Sequence, residues 1–261
     1  MPDILVGTWV WIVEPYIGRV ATGNYIGNLG TWSYIWQSAA SGKVNIMDMG
    51  ALGDGEDKDD NIVWIQDAAY ENFDGATEAN LIIASHGHYD HVGKSHVLGE
   101  YRNLRDLKDS MGGSIACHYC DVERVNLHLK NNLQEPSQVD VVLLGPTGPF
   151  DENENPVCDF TGDECGNPNG DPGFSLRVFH CPGHTDGTIA LVSEDILLTG
   201  SGLHLMIIGD WFKYHRTPPE DDPLVTSENI EYTISQATRM FECFGDGDNV
   251  FMSHFPQVFP E

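Results

Sequence analysis

Apolar and polar positions along the chain alternate between two periods, and the change of period marks out the elements. Residues 4–13 and 30–36 are rich in β-branched and aromatic side chains broken by Gly and Asn, which predicts antiparallel strands and turns. The acidic stretch 53–60 reads as a polar loop, and 61–70 then places Ile, Trp, Ile and Ala at helical spacing. A short apolar run, Leu81-Ile82-Ile83, has the length and composition of a buried strand. Further helices are predicted at 96–107 and 121–133, and a strand at 139–144 that Gly145-Pro146 ends. The second half repeats the plan, with strands at 174–179, 188–192 and 203–208, a helix at 226–244 and a last apolar run from Val250. This order predicts an α/β fold in which two sheets face each other with helices outside, and active-site residues on the loops that follow strand ends.

The densest chemistry sits on such a loop. Ala84-Ser-His86-Gly-His88-Tyr-Asp90-His91-Val-Gly93 offers four metal ligands within six residues, directly after the 81–83 run. Imidazole and carboxylate are the donors that a borderline cation such as Zn²⁺ takes, and a strand end followed by a tight loop holds them rigidly. The i, i+2 spacing lets His86 and His88 converge on one ion while Asp90 and His91 hold a second, the logic of a two-metal site.

His86-x-His88-x-Asp90-His91 resembles the signature of the metallo-β-lactamase superfamily. Three other stretches agree with the resemblance in the right order, so it covers most of the chain. Val44-Asn-Ile-Met-Asp48-Met-Gly50 is similar to the strand ending in Asp-x-Gly, Cys181-Pro-Gly-His184-Thr matches the Pro-Gly-His-Thr form, and Val250-Phe-Met-Ser-His254 fits the last histidine element. The resemblance implies an αββα four-layer sandwich of two mixed β-sheets, in one domain over 1–261. It implies that His86, His88 and His184 hold a first divalent ion and that Asp90, His91 and His254 hold a second. For the bridging carboxylate two positions are open: Asp210, in the Gly209-Asp210 pair, and Ser201, which has the spacing of a shorter hairpin. Asp210 is preferred because a carboxylate is a far better ligand than a neutral hydroxyl. Trp211, Tyr214 and His215 follow it and are candidate substrate contacts.

The implied cofactor is a pair of divalent ions, Zn²⁺ first, with Fe or Mn as other candidates. Two such ions bring a bridging water towards ionisation at neutral pH, with Asp90 orienting the nucleophile, and no covalent intermediate is required. The expected activity is hydrolysis of an ester, thioester, lactone or amide of a small molecule. Alternatives within the fold are a phosphodiesterase or ribonuclease and a mononuclear iron dioxygenase using His86, His88 and an aspartate; a non-enzymatic binding module would require lost ligands.

Charge narrows the partners. With 40 Asp and Glu against 13 Lys and Arg, the net charge is -27, which opposes binding to nucleic-acid phosphates and anionic membranes. No segment approaches the ~18 consecutive apolar residues of a membrane helix, and the first residues lack the basic region of a secretory signal, so a cytoplasmic location is expected. Residues 150–173 read as an acidic, Gly- and Pro-rich surface insertion without the spacing of a calcium loop. Cys117, Cys120, Cys158 and Cys165 are irregularly spaced and read as thiols rather than an accessory zinc site, and His118, His128, His180, His204 and His215 read as surface or core histidines.

Overall fold

The computed structural model describes residues 10–14, 17–26, 29–37, 41–49, 60–93, 103–129, 139–143, 176–180, 185–193, 205–208 and 250–252. Seven strands form one sheet in the order in which they occur: β1 (Val10–Glu14), β2 (Ile17–Ile26), β3 (Leu29–Gln37), β4 (Val44–Met47), β5 (Ala79–Ile83), β6 (Ser114–His118) and β7 (Val141–Leu143). β1 to β4 pair antiparallel, and β4 to β7 pair parallel. The switch follows from the connections. Tight turns can join only antiparallel neighbours, whereas the parallel strands are linked by crossovers that carry helices. Those helices are α1 (Asp60–Asn72), then α2 (Tyr89–Val92) and α3 (Leu104–Met111), then a 3-10 turn (Tyr119–Asp121) running into α4 (Val122–Leu129). The second sheet has four strands in the order β11 (Val250–Met252), β10 (Leu205–Ile208), β9 (Ile189–Ser193), β8 (Leu176–His180), and it too is mixed, with β10 and β11 parallel.

Strand periodicity divides β4 between two surfaces. Val44 and Ile46 join Ile82, Ala84, Ile115 and Cys117 in a core with Ile65 and Ala69 of α1, Phe73 just after it, Leu104 and Leu107 of α3, and Val125 and Leu129 of α4. Asn45 and Met47 point to the opposite face and are buried as well. A sheet buried on both faces is an inner layer, as a sandwich of two sheets requires. Ile189 N–H donates to Ser85 O at 2.9 Å, which ties the start of β9 to the end of β5.

The helix predicted at 61–70 and the strands predicted at 139–144, 174–179, 188–192 and 203–208 are present with shifted ends. Of the helix expected at 96–107, the described part belongs to α3, which starts at Leu104. Asn103 caps it, accepting from Arg105 N–H, while Asp106 accepts from Asn103 N–H, and this capping box sets the start. The helix expected at 121–133 starts at Val122. β6 was not expected, nor was β2 as a separate strand. The expected helix 226–244, residues 96–102, the insertion 150–173 and Cys158 and Cys165 lie outside the described residues. Among the described residues no helix is long and apolar enough to cross a membrane.

Candidate metal centre

The loop after β5 is built around a carboxylate from the neighbouring strand. Asp48 follows β4 with φ of 61°, a left-handed conformation uncommon for any residue but glycine, and it is fully buried. Its Oδ1 accepts from Ser85 N–H at 2.8 Å, and its Oδ2 accepts from Ser85 Oγ at 2.7 Å and from His91 Nδ1 at 2.8 Å. Backbone bonds from Asp48 N to Ile83 O, 2.8 Å, and from Met49 N to His91 O, 3.0 Å, hold the carboxylate in that place. The strained backbone is therefore over-determined by its bonds, the usual condition for strain to persist at a functional site.

These contacts settle the histidine tautomers. A carboxylate only accepts, so His91 Nδ1 carries the proton and His91 Nε2 keeps the lone pair. Ser85 Oγ spends its single proton on Asp48, so at 3.1 Å it accepts from His86 Nδ1, which leaves the lone pair on His86 Nε2. A ligating histidine oriented by a carboxylate or hydroxyl on its other nitrogen is the usual outer support of a metal site. His86 and His91 are fully buried, their ring centroids 4.0 Å apart, and His88 is half-buried. His86 Nε2 lies 3.1 Å from His88 Nδ1. Two nitrogens at ~2.0–2.1 Å from a tetrahedral Zn²⁺ are separated by roughly 3.3 Å, so this pair of donors fits a zinc-class ion. Arg124 Nη1 donates to His88 Nε2 at 2.9 Å, which puts the His88 proton on Nδ1. An ion held by Nδ1 would require the His88 proton on Nε2, in place of the bond from the guanidinium.

A second carboxylate, Asp121 at the end of the 3-10 turn, joins the two halves of the site. It accepts from Gly87 N–H at 2.7 Å, from Thr185 Oγ1 at 2.6 Å and from Gly187 N–H at 3.2 Å. Thr185 also donates its N–H to Thr188 Oγ1 at 3.0 Å. Burial raises the Asp121 pKa above the usual carboxylate range, against the hydrogen bonds from Thr185, Gly87 and Gly187 and the charge of Arg124, which lower it. The backbone fits around it closely. A Cβ on Gly87 would stand 2.7 Å from Arg124 Cγ, and one on Gly187 would stand 2.6 Å from Asp121 Cβ.

The structure thus brings together His86, His88 and His91 of the expected ligands. Asp90 lies in α2, and its side chain is not described; His184, Asp210, Ser201, His254, Trp211, Tyr214 and His215 lie outside the described residues. Thr185, next in sequence to His184, is pinned to the same carboxylate as Gly87 of the histidine loop. Asp121, Ser85 and Arg124 were not singled out from sequence. Only Asp48 had a signal there, as part of the Asp-x-Gly resemblance.

No protein-family model matches the chain. A protein of Methanocaldococcus jannaschii named "Probable metallo-hydrolase" is 25% identical over 141 residues, 52% of this chain and 55% of its own length. The chain therefore spans about half the length of that curated relative. Among solved structures, a metallo-β-lactamase from Pontibacter korlensis matches with a TM-score of 0.59 at 12% identity, over 95% of this chain and 92% of its own. A metallo-β-lactamase of Cronobacter sakazakii described by its HARLDQ motif matches with a TM-score of 0.52 at 15% identity, over 94% and 77%. The B3 metallo-β-lactamase BLEG-1 matches with a TM-score of 0.53 at 16% identity, over 92% of each chain.

Proposed function

We propose, from the premise that the chain has the metallo-β-lactamase fold and carries the His-x-His-x-Asp-His signature of that superfamily at 86–91, that it is a metal-dependent hydrolase. The observation that carries the reading is the buried Asp48–Ser85 network, which leaves the lone pair of His86 on Nε2, 3.1 Å from His88 Nδ1. A polar network of this kind buried beneath a histidine cluster has a cost in desolvation, and ligand orientation is the function that explains it.

In this reading His86, His88 and His184 would hold one ion and Asp90, His91 and His254 a second, with Asp210 as the preferred further carboxylate ligand. When bound, the ions supply Lewis acidity and an activated water. The protein's own groups do the rest. Asp48 holds the His91 imidazole by Nδ1, Ser85 relays from His86 to the same carboxylate, and Asp121 keeps the histidine loop and the Thr185 turn in register. Arg124, which lies beside His88, is a cationic donor that suits a carbonyl or carboxylate of the substrate. The acidic chain favours neutral or cationic small molecules over polyanions, so the substrate class is an ester, thioester, lactone or amide.

The test is elemental analysis of protein purified without chelators, run beside a hydrolysis panel of lactones, thioesters, β-lactams and phosphodiesters. At least two zinc-class ions per chain and turnover of a carbonyl substrate are expected. A single iron with no hydrolysis overturns the reading in favour of an oxygenase, and turnover of phosphodiesters alone overturns the substrate class.

A further inference from the structure

We propose that His118, Cys120 and His180 form a separate His₂Cys site for a zinc-class ion. This site does not depend on the hydrolase reading. It arises where the end of β6 meets the end of β8. His118 is the last residue of β6, the 3-10 turn that follows brings Cys120 back beside it, and His180 closes β8. One ligand atom from each of the three lies within 4.8 Å of the others. Tetrahedral zinc with nitrogens at ~2.0–2.1 Å and sulfur at ~2.3 Å separates its ligand atoms by roughly 3.3–3.6 Å. Small side-chain rotations therefore close the set.

The two imidazoles are oriented by their own contacts: His118 Nδ1 accepts from Cys120 N–H at 3.4 Å, a long bond that an ion at that nitrogen would replace, and Cys120 would bind by giving up its thiol proton. His180 Nε2 meets Asp186 O at 2.6 Å, and since a carbonyl only accepts, Nε2 carries the proton and the lone pair falls on Nδ1. Support of a ligating histidine by a backbone carbonyl on its other nitrogen is the common arrangement. His118 is buried. Cys120 is a free, half-buried thiol, so the site is open to solvent on that side. The imidazoles of His118 and His180 stack with centroids 3.9 Å apart and planes 12° apart. Lone pairs in parallel planes do not converge, so binding tilts one ring out of the stack. Three protein ligands leave the fourth position of a tetrahedral ion to water or a small ligand.

Cys120 is followed directly by Asp121, whose carboxylate holds Gly87 and Thr185. An ion bound here therefore stiffens the anchor of the histidine loop, and its binding free energy adds to the stability of the fold. The full chain, stripped of metal and refilled with Co²⁺, should show a thiolate-to-cobalt charge-transfer band in the near ultraviolet that Zn²⁺ abolishes. In Cys120→Ser the band should vanish and bound zinc should fall by one ion per chain. In His88→Ala, which weakens the proposed hydrolase centre, the band should persist; its loss there would place the cobalt in that centre instead. No band in the unaltered chain, or a band and zinc content unchanged by Cys120→Ser, overturns the proposal. Should Cys120→Ser fail to fold by circular dichroism, His180→Gln is read in the same way.

Discussion

Asp48 shows how one buried carboxylate controls chemistry at a neighbouring strand. Because it accepts from both Ser85 and His91, its carboxylate oxygens dictate which nitrogen of each imidazole keeps a lone pair. Asp48→Asn tests this without removing the side chain's volume. The amide Oδ1 can still accept from Ser85 N–H, but the amide nitrogen would face two donors, Ser85 Oγ and His91 Nδ1. The cheapest escape is for His91 to move its proton to Nε2, which costs it the lone pair there. Metal affinity is therefore expected to fall by about 10–100-fold, the usual penalty for losing an outer partner, while circular dichroism stays that of the unaltered fold. Zinc affinity measured by competition with a chelator would decide it, and an unchanged value would remove Asp48 from the ligand network. The histidines were legible in sequence because six consecutive residues carry them. Asp121 was not, since its partners Gly87 and Thr185 lie 34 and 64 residues away and nothing local marks a carboxylate that will be buried. His118 and His180 were set aside for the same reason: only the pairing of strand ends brings them together.

At the scale of elements, α1 was readable in the sequence and β6 was not. α1 has enough turns for its apolar stripe to show, whereas β6 is five residues between Gly113 and a 3-10 turn and presents no alternation, because all but its first residue are buried. A strand buried on both faces cannot be told from a short helix segment by period alone. Contact between elements at the site leaves no room for error. The Gly87 backbone lies against the Arg124 side chain of α4, and the Gly187 backbone against Asp121 at the head of that helix. At Gly187 the clash would involve the Asp121 backbone nitrogen, 2.7 Å away, so no rotamer change relieves it. Gly187→Ala must push the β9 approach away from α4 and should cost about 1–3 kcal/mol, the range for overpacking. For a chain of this size that lowers Tm by roughly 2–4 °C per kcal/mol. Gly87→Ala meets the flexible part of Arg124 as well as its Cβ, and the smaller loss is expected there. Thermal melts of the two variants in parallel check the order; equal or negligible shifts would mean that the close approach is not maintained in solution.

Across the whole molecule the dominant physical quantity is charge. A net of -27 from 40 acidic and 13 basic side chains means that acidic groups far outnumber basic ones, and a compact state must hold them together against their mutual repulsion. Among the described residues, Lys108 Nζ pairs with the Asp140 carboxylate at 2.8 Å, where the end of α3 meets the start of β7. Screening is the remedy that solution offers. The Debye length falls from ~10 Å at 0.1 M salt to ~3 Å at 1 M, shorter than typical spacings between surface charges. Tm should therefore rise by several degrees between those concentrations of NaCl, and it should rise further for the unaltered chain than for one in which the Asp and Glu residues of the 150–173 segment are replaced by Asn and Gln. The same field sets what approaches the site. A polyanion must work against the whole-chain potential before it reaches His88, while a neutral ester or lactone does not. A Tm that is flat or falls with salt would show that the acidic groups are already compensated by bound cations, and exclusion of polyanions would then have no basis in the net charge.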